Sequence, residues 1–177
     1  GWYVERESPY GSPIVAARQP QKGPNARRIC VDYGEVNKCA VETRYPVKNQ
    51  EEVTRRLAGS KRYSNVDLLK GFHQMRLTER ASLLLAVITS LGMYLPVTAP
   101  FGFHALPSHF QFVMSHKVLK GLDTKGVESF VDDILAHGRT FAEMLKRLRE
   151  VFVRLRYWNL RINGKKTTLG SYECVFL

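Results

Sequence analysis

Apolar positions recur along the chain in short blocks separated by turn-forming residues, and the spacing inside each block sets its expected structure. The clearest block is a 3.6-residue repeat of Phe141, Met144, Leu145, Leu148, Val151, Phe152 and Leu155. Thr140 with Glu143 three residues later forms a capping box, so a helix is expected to begin there. Its opposite face carries Lys146, Arg147, Arg149, Arg154 and Arg156. A second capping box, Asn49 with Glu52, opens a short helix bearing Val53 and Leu57 that stops near Gly59. Pro107 and Ser108 open a third, with Phe110, Val113, Met114 and Val118 on one face. Residues 14–17 and 28–33 read as strands around the turn-rich stretch 19–26, a hairpin with its tip at Lys22-Gly23. Residues 62–69, 75–77 and 83–89 are apolar or alternating and read as strands, with Gly92 marking a turn. Residues 127–135 are apolar apart from one acidic pair, and Asn163-Gly164 is a strong turn signal between residues 160–162 and a final extended stretch. No internal repeat or linker divides the chain. The expected class is α+β, an antiparallel sheet with helices packed on one side.

The length, 177 residues, suits one domain of ordinary size or two very small ones. Apolar residues at 44% and aromatics at 11% exclude disorder and collagen-like repetition. The longest apolar run, residues 83–88, is strand-sized and far below the ~20 residues that cross a bilayer. Gly1-Trp2-Tyr3-Val4 runs at once into Glu5, Arg6 and Glu7, unlike a signal peptide. Neither a membrane spanner nor a secreted disulfide scaffold is expected. Charge adds more: 27 Lys and Arg against 16 Asp and Glu give a net charge of +11. Such a surplus attracts polyanions, nucleic acid first among them. Cys30, Cys39 and Cys174 are odd in number and lack a C-x-x-C, so they are expected to be small buried groups in a reducing compartment.

Two acidic sites break the rule that core strands stay apolar. Asp67 sits in Ser64-Asn65-Val66-Asp67-Leu68-Leu69, and Asp132-Asp133 in Ser129-Phe130-Val131-Asp132-Asp133-Ile134-Leu135. Burying a lone carboxylate is costly, and adjacent carboxylates repel. Two readings stay open on spacing alone. Asp-Asp can be a turn pair at a hairpin tip. Alternatively, Mg²⁺ held by a few carboxylates and substrate phosphates relieves the charge, and two such ions support phosphoryl transfer.

The order of motifs extends the picture. Ser8-Pro9-Tyr10-Gly11-Ser12-Pro13, Arg28-Ile29-Cys30-Val31-Asp32-Tyr33 with Val36-Asn37, Arg44-Tyr45-Pro46 and Asp67-Leu68-Leu69-Lys70-Gly71-Phe72-His73-Gln74-Met75 follow one another. Then come Pro100-Phe101-Gly102-Phe103 with Ala105-Leu106-Pro107 and Phe110-Gln111, Phe130-Val131-Asp132-Asp133-Ile134-Leu135, and Asn163-Gly164-Lys165-Lys166. This series resembles the fingers and palm of the reverse transcriptases of gypsy-type long-terminal-repeat retrotransposons, with Phe130 for the usual Tyr of the Y-x-D-D box. The resemblance implies a right-hand polymerase fragment without a thumb. Fingers are expected at roughly 1–62 and 76–99, and palm at 63–75 and 100–177. It implies a catalytic group of Asp67, Asp132 and Asp133, joined by the Leu68 carbonyl, holding two Mg²⁺ or Mn²⁺ ions. Lys166 is implied near the leaving pyrophosphate. Arg28 is implied at the incoming triphosphate, Phe72 as a steric gate against a ribose 2′-OH, and Phe101 and Gly102 near the nucleotide and template base. Lys22, Arg27 and Lys165 are the expected nucleic-acid contacts.

The chain departs from the family pattern at Arg27, at Gly34, across Leu84-Leu85-Ala86, across residues 95–99 and at Thr167, and only Arg18 and Lys22 supply the basic fingers cluster. The implied activity is RNA-directed DNA polymerisation from deoxynucleoside triphosphates on an RNA or DNA template-primer. Expected partners are the thumb and ribonuclease H portions of a polyprotein. The alternative is a domesticated, idle domain serving as a structural or RNA-binding subunit of a larger ribonucleoprotein. The expected location is intracellular, in nucleus or cytoplasm, or in an organelle for a domesticated subunit.

Overall fold

The structure, a computed structural model, describes residues 1–19, 21, 23, 25–41, 45, 50–123, 125–174 and 176. In chain order the elements are β1 (Tyr3–Glu5), β2 (Ser12–Arg18), β3 (Arg27–Val31), α1 (Gly34–Cys39), α2 (Gln50–Leu57), β4 (Arg62–Asp67), α3 (Glu79–Leu84), β5 (Val87–Thr89), β6 (Gly92–Pro96), α4 (Leu106–Val113), β7 (Val127–Phe130), β8 (Asp133–Gly138), α5 (Phe141–Tyr157) and β9 (Thr168–Ser171). A 3₁₀ turn covers Gly71–Gln74, and a π-helical turn, Met114–Val118, continues α4. The chain forms two compact units, residues 1–42 with 72–106 and residues 43–71 with 107–177.

The first unit is built on a five-stranded sheet in the order β1-β6-β5-β2-β3. Its pairs are antiparallel except β2 with β5, where Ser12 lies opposite Val87. The expected hairpin is present as β2 and β3, from Ile14 opposite Val31 to Arg18 opposite Arg27. Its tip residue Lys22 lies outside the described residues, as do Arg44 and Pro46. Strand β3 ends at Val31 because Gly34 N–H donates to Asp32 Oδ1 at 2.9 Å and turns the chain into α1. That helix buries no residue, so it has no apolar repeat for the sequence to display. The buried Tyr33 hydroxyl donates to the Leu85 carbonyl at 3.0 Å, and burial pushes the phenol's pKa up.

The expected strand at 83–89 is only half right. Ala81 N–H donates to Thr78 Oγ1 at 3.3 Å, capping α3, so Leu83 and Leu84 finish a helix and β5 begins at Val87. A continuous apolar run looks the same in either state, and the cap decided it. Residues 75–77 form no strand of their own; Arg76 makes an isolated bridge to Thr98.

The second unit is an antiparallel four-stranded sheet, β7-β8-β4-β9, with α5 laid on one face. Met144, Leu148, Val151 and Leu155 are the buried stripe of α5, and the capping box is present in both halves. Gly59, at φ 80°, follows α2 as expected; Asn49, the other half of that capping box, lies outside the described residues. Buried Glu128 of β7 pairs with Arg56 of α2 at 3.5 Å. The Asn163 carbonyl accepts from the N–H groups of Lys166 and Thr167, so the expected turn is there. Its two flanks do not pair with each other: Ile162 bridges Leu68 while β9 pairs with β4. All three cysteines are free, and none is fully buried: Cys39 is exposed and the others are half-buried, contrary to the expectation of core thiols. Among the described residues no helix is long and apolar enough to cross a membrane.

Candidate active site

In the second unit the acidic residues meet where β4 and β8 pair. Asp67, the last residue of β4, lies directly opposite Asp133, the first residue of β8. Cross-strand neighbours of this kind have Cβ atoms about 5 Å apart. Phe130 also pairs with Asp133, which closes the β7–β8 hairpin over a two-residue loop, Val131-Asp132. The acidic pair thus straddles a hairpin turn, and strand register brings Asp133 opposite Asp67. Leu68 N–H donates to the Asp132 carbonyl at 3.0 Å, and Asn163 N–H to the Asp67 carbonyl at 2.8 Å. Lys166 Nζ stands 3.5 Å from Asp67 Oδ2, the lysine largely exposed and the carboxylate largely buried. Burial first, then repulsion from Asp132 and Asp67, pushes the Asp133 pKa up, and Lys166 partly offsets this.

Three further residues hold this arrangement, and the sequence did not mark their roles. Val131 has φ 52°, a left-handed conformation that a β-branched residue rarely adopts but that the first position of a primed hairpin turn requires. Gln111 of α4, 3% exposed, accepts the Val131 N–H through Oε1 at 2.6 Å. Its Nε2 donates to Ser115 Oγ at 3.0 Å and to the Ser129 carbonyl at 3.3 Å. The signal in the sequence was a glutamine on an apolar helix face, directly after Phe110. Gly71 leaves room for Asp132: a Cβ there would lie 2.9 Å from the Asp132 Cβ.

The donor set suits a hard cation, since Mg²⁺ takes one or two carboxylates and completes its shell with water and substrate phosphates. Burial first, and the neighbouring carboxylates after it, disfavour a charged Asp133, a cost that a cation would offset. Among the described residues no three His, Cys, Asp or Glu side chains are placed together to hold a metal ion, so a cation here would take one or two carboxylates and draw its other ligands from backbone, water or substrate.

In the first unit a cluster gathers three of the expected nucleotide-binding residues. The Arg28 guanidinium lies over the Phe101 ring, 5.2 Å from its centroid. Phe72 meets Phe101 edge to face at 5.6 Å, and His73 does so at 4.7 Å. Trp2 stacks on His73 at 4.7 Å. Gly102 has φ 100°, and a Cβ there would crowd the Val31 carbonyl at 3.3 Å. Asn37 pins this turn, donating to the Gly102 carbonyl and accepting from His104 N–H, both at 3.0 Å. Arg27 is exposed at the start of β3, opposite Arg18, and Lys165 is exposed in the turn after Asn163.

Known proteins resemble this chain over most or all of its length. A family model described as reverse transcriptase (RNA-dependent DNA polymerase) matches residues 14–177. The retrovirus-related Pol polyprotein from transposon 297 of Drosophila melanogaster is 31% identical over 179 residues, which cover 100% of this chain and 17% of that protein. The Tf2-3 transposon polyprotein of Schizosaccharomyces pombe is 27% identical over 150 residues, 85% of this chain and 11% of that protein. The foamy viral protease-reverse transcriptase in complex with RNA/DNA hybrid superimposes with a TM-score of 0.85 at 26% identity, covering 100% of this chain and 23% of that one. The chain thus spans less than a fifth of the length of these curated relatives.

Proposed function

Since this chain belongs to the reverse transcriptase family, we propose that it is the fingers and palm part of an RNA-directed DNA polymerase. It acts within a longer polyprotein, on an RNA or DNA template-primer, and adds deoxynucleotides to the primer 3′ end. The observation that carries this reading is the register of the second unit's sheet, with Asp67 opposite Asp133 and Asp132 in the turn fastened to Leu68.

Asp67, Asp132, Asp133 and the Leu68 carbonyl would hold Mg²⁺ or Mn²⁺, two ions in all. The Leu68 carbonyl accepts a long 3.4 Å bond from Gly71 N–H and keeps lone-pair capacity. Bound cations in such a site supply charge neutralisation for the attacking hydroxyl and the leaving pyrophosphate. The chain's own residues do the positioning. Lys166 brings a mobile positive charge beside Asp67, suited to balance the leaving group. Arg28, held over the Phe101 ring, offers its guanidinium to the triphosphate. Phe72, braced edge-on by Phe101, presents a bulky ring that would exclude a ribose 2′-hydroxyl. Gly102 lets backbone approach the nucleotide closely. Lys22, Arg27 and Lys165 supply phosphate contacts.

The test is Mn²⁺ binding by electron paramagnetic resonance, alongside primer extension on an RNA template. Wild type is expected to bind Mn²⁺ and incorporate deoxynucleotides, with Asp132→Asn losing both. RNA binding unchanged by Asp132→Asn, with no incorporation by wild type joined to a thumb, would establish the idle ribonucleoprotein subunit instead.

A further inference from the structure

The outer face of α5 has no part in the site described above. Ser64 of β4 touches Met144 of α5, its Oγ 2.9 Å from the methionine sulfur. Side chains alternate along a strand, so Asp67, an odd step further on, points to the other face of the sheet. The sheet and the helix body, roughly 10 Å thick, therefore separate the acidic cluster from the outer face of α5.

That face is strongly basic. The helix carries five Lys and Arg against two Glu, and one of the two, Glu150, is engaged by Arg147 at 3.5 Å. Lys146, Arg149 and Arg154 line a hollow of about 430 Å³ with Lys125 from the loop before β7, and Leu122, Val153 and the Arg147-paired Glu150 complete its lining. Arg154 is steadied by donating to the Lys120 carbonyl at 3.5 Å. Two features are out of place on a merely solvated face. Val153, in the wall of the hollow, is 67% exposed, and Tyr157, one turn on, is 81% exposed with its ring edge-on to Trp158. From Lys146 to Tyr157 the row runs about 16 Å along the helix.

We propose that this face binds a single strand of nucleic acid, at a site distinct from the one at the acidic cluster. Lys125, Lys146, Arg149 and Arg154 take the phosphates, and Tyr157 offers a ring on which an unpaired base stacks. The charge complements a phosphodiester backbone. The exposed ring at the end of the cation row favours a nucleic-acid strand over an acidic polypeptide, because every base has a face to stack on it. A row of this length accommodates about four nucleotides, the lower end of known single-strand sites.

The experiment is fluorescence anisotropy of a labelled oligouridylate across a salt series. The Lys146→Ala/Arg149→Ala/Arg154→Ala variant is expected to bind at least tenfold more weakly than wild type at ~0.1 M salt. The slope of log affinity against log salt should fall by about 2, at roughly 0.7 per lost contact. A control with the same charge change at exposed residues elsewhere, Arg55→Ala/Lys61→Ala/Arg80→Ala, should lose less than threefold. Binding is read without divalent cations or deoxynucleotides, so the proposal stands or falls apart from the polymerase reading. Tyr157→Ala should weaken binding about fivefold with the salt slope unchanged. Equal losses in the two triple variants, or displacement of the RNA by polyglutamate as effectively as by unlabelled oligouridylate, would overturn it.

Discussion

Gln111 shows how one side chain can govern a site it does not belong to. Its Oε1 is the partner of the Val131 N–H, and that residue is held in a left-handed conformation next to Asp132. Gln111→Leu keeps the volume and removes the partner. The orphaned N–H should cost about 1–3 kcal/mol of stability, and Mn²⁺ affinity should drop as Asp132 loses its fixed backbone. Val131→Gly removes the conformational penalty at the turn, so it should recover part of the loss in the Gln111→Leu background while doing little alone. A double-mutant cycle in urea measures that coupling, and strictly additive effects would contradict the account. Asp67, Asp132 and Asp133 stood out in the sequence because charge among apolar neighbours is costly. Gln111 did not, because a buried amide leaves no periodic signature until its partners are known.

At the scale of elements, α5 was the most legible because its stripe, cap and length agree. Thr140 accepts the Glu143 N–H at 3.2 Å, and Glu143 accepts the Arg139 N–H at 2.9 Å. Thr140→Ala should lower the unfolding free energy by about 1 kcal/mol, read from chemical denaturation, with Thr140→Ser close to wild type. The elements the sequence missed share a cause. Helix α1 buries nothing, and α3 is six residues set by Thr78 and followed by Leu85, Ala86 and Val87, which are buried whichever state they adopt. Short elements with no amphipathic contrast are chosen by caps and sheet partners, and periodicity does not report on those.

Across the whole molecule, stability should depend on pH through His137. Its ring in β8 is 6% exposed, with Nδ1 2.8 Å from Ser60 Oγ, and burial pushes its pKa down. The unfolded chain therefore binds a proton near pH 6.5 that the folded one refuses. Stability contributed by the neutral ring is fully present above that pH and is lost as pH falls below it. Thermal melts from pH 7.5 to 5.5 should show a falling midpoint in wild type and a flatter profile in His137→Gln. An equal slope in both would assign the dependence to other groups.

The amino-acid sequence by itself determined the fold class, the β2–β3 hairpin, the long basic helix and the identity of the acidic residues, because each of these is written in local spacing or in a residue type placed against its surroundings. The resemblance it carries to reverse transcriptases also singled out Arg28, Phe72, Phe101 and Gly102 as candidates, and Arg28 and Phe72 both meet Phe101 in the first unit. Only the tertiary structure decided that Asp67 is the cross-strand neighbour of Asp133, that Gln111 and Gly71 hold and admit the turn bearing Asp132, and that the cations of α5 lie across the sheet from those acids. Register and sidedness arise from pairing between residues more than sixty positions apart, so no local window of the chain can express them.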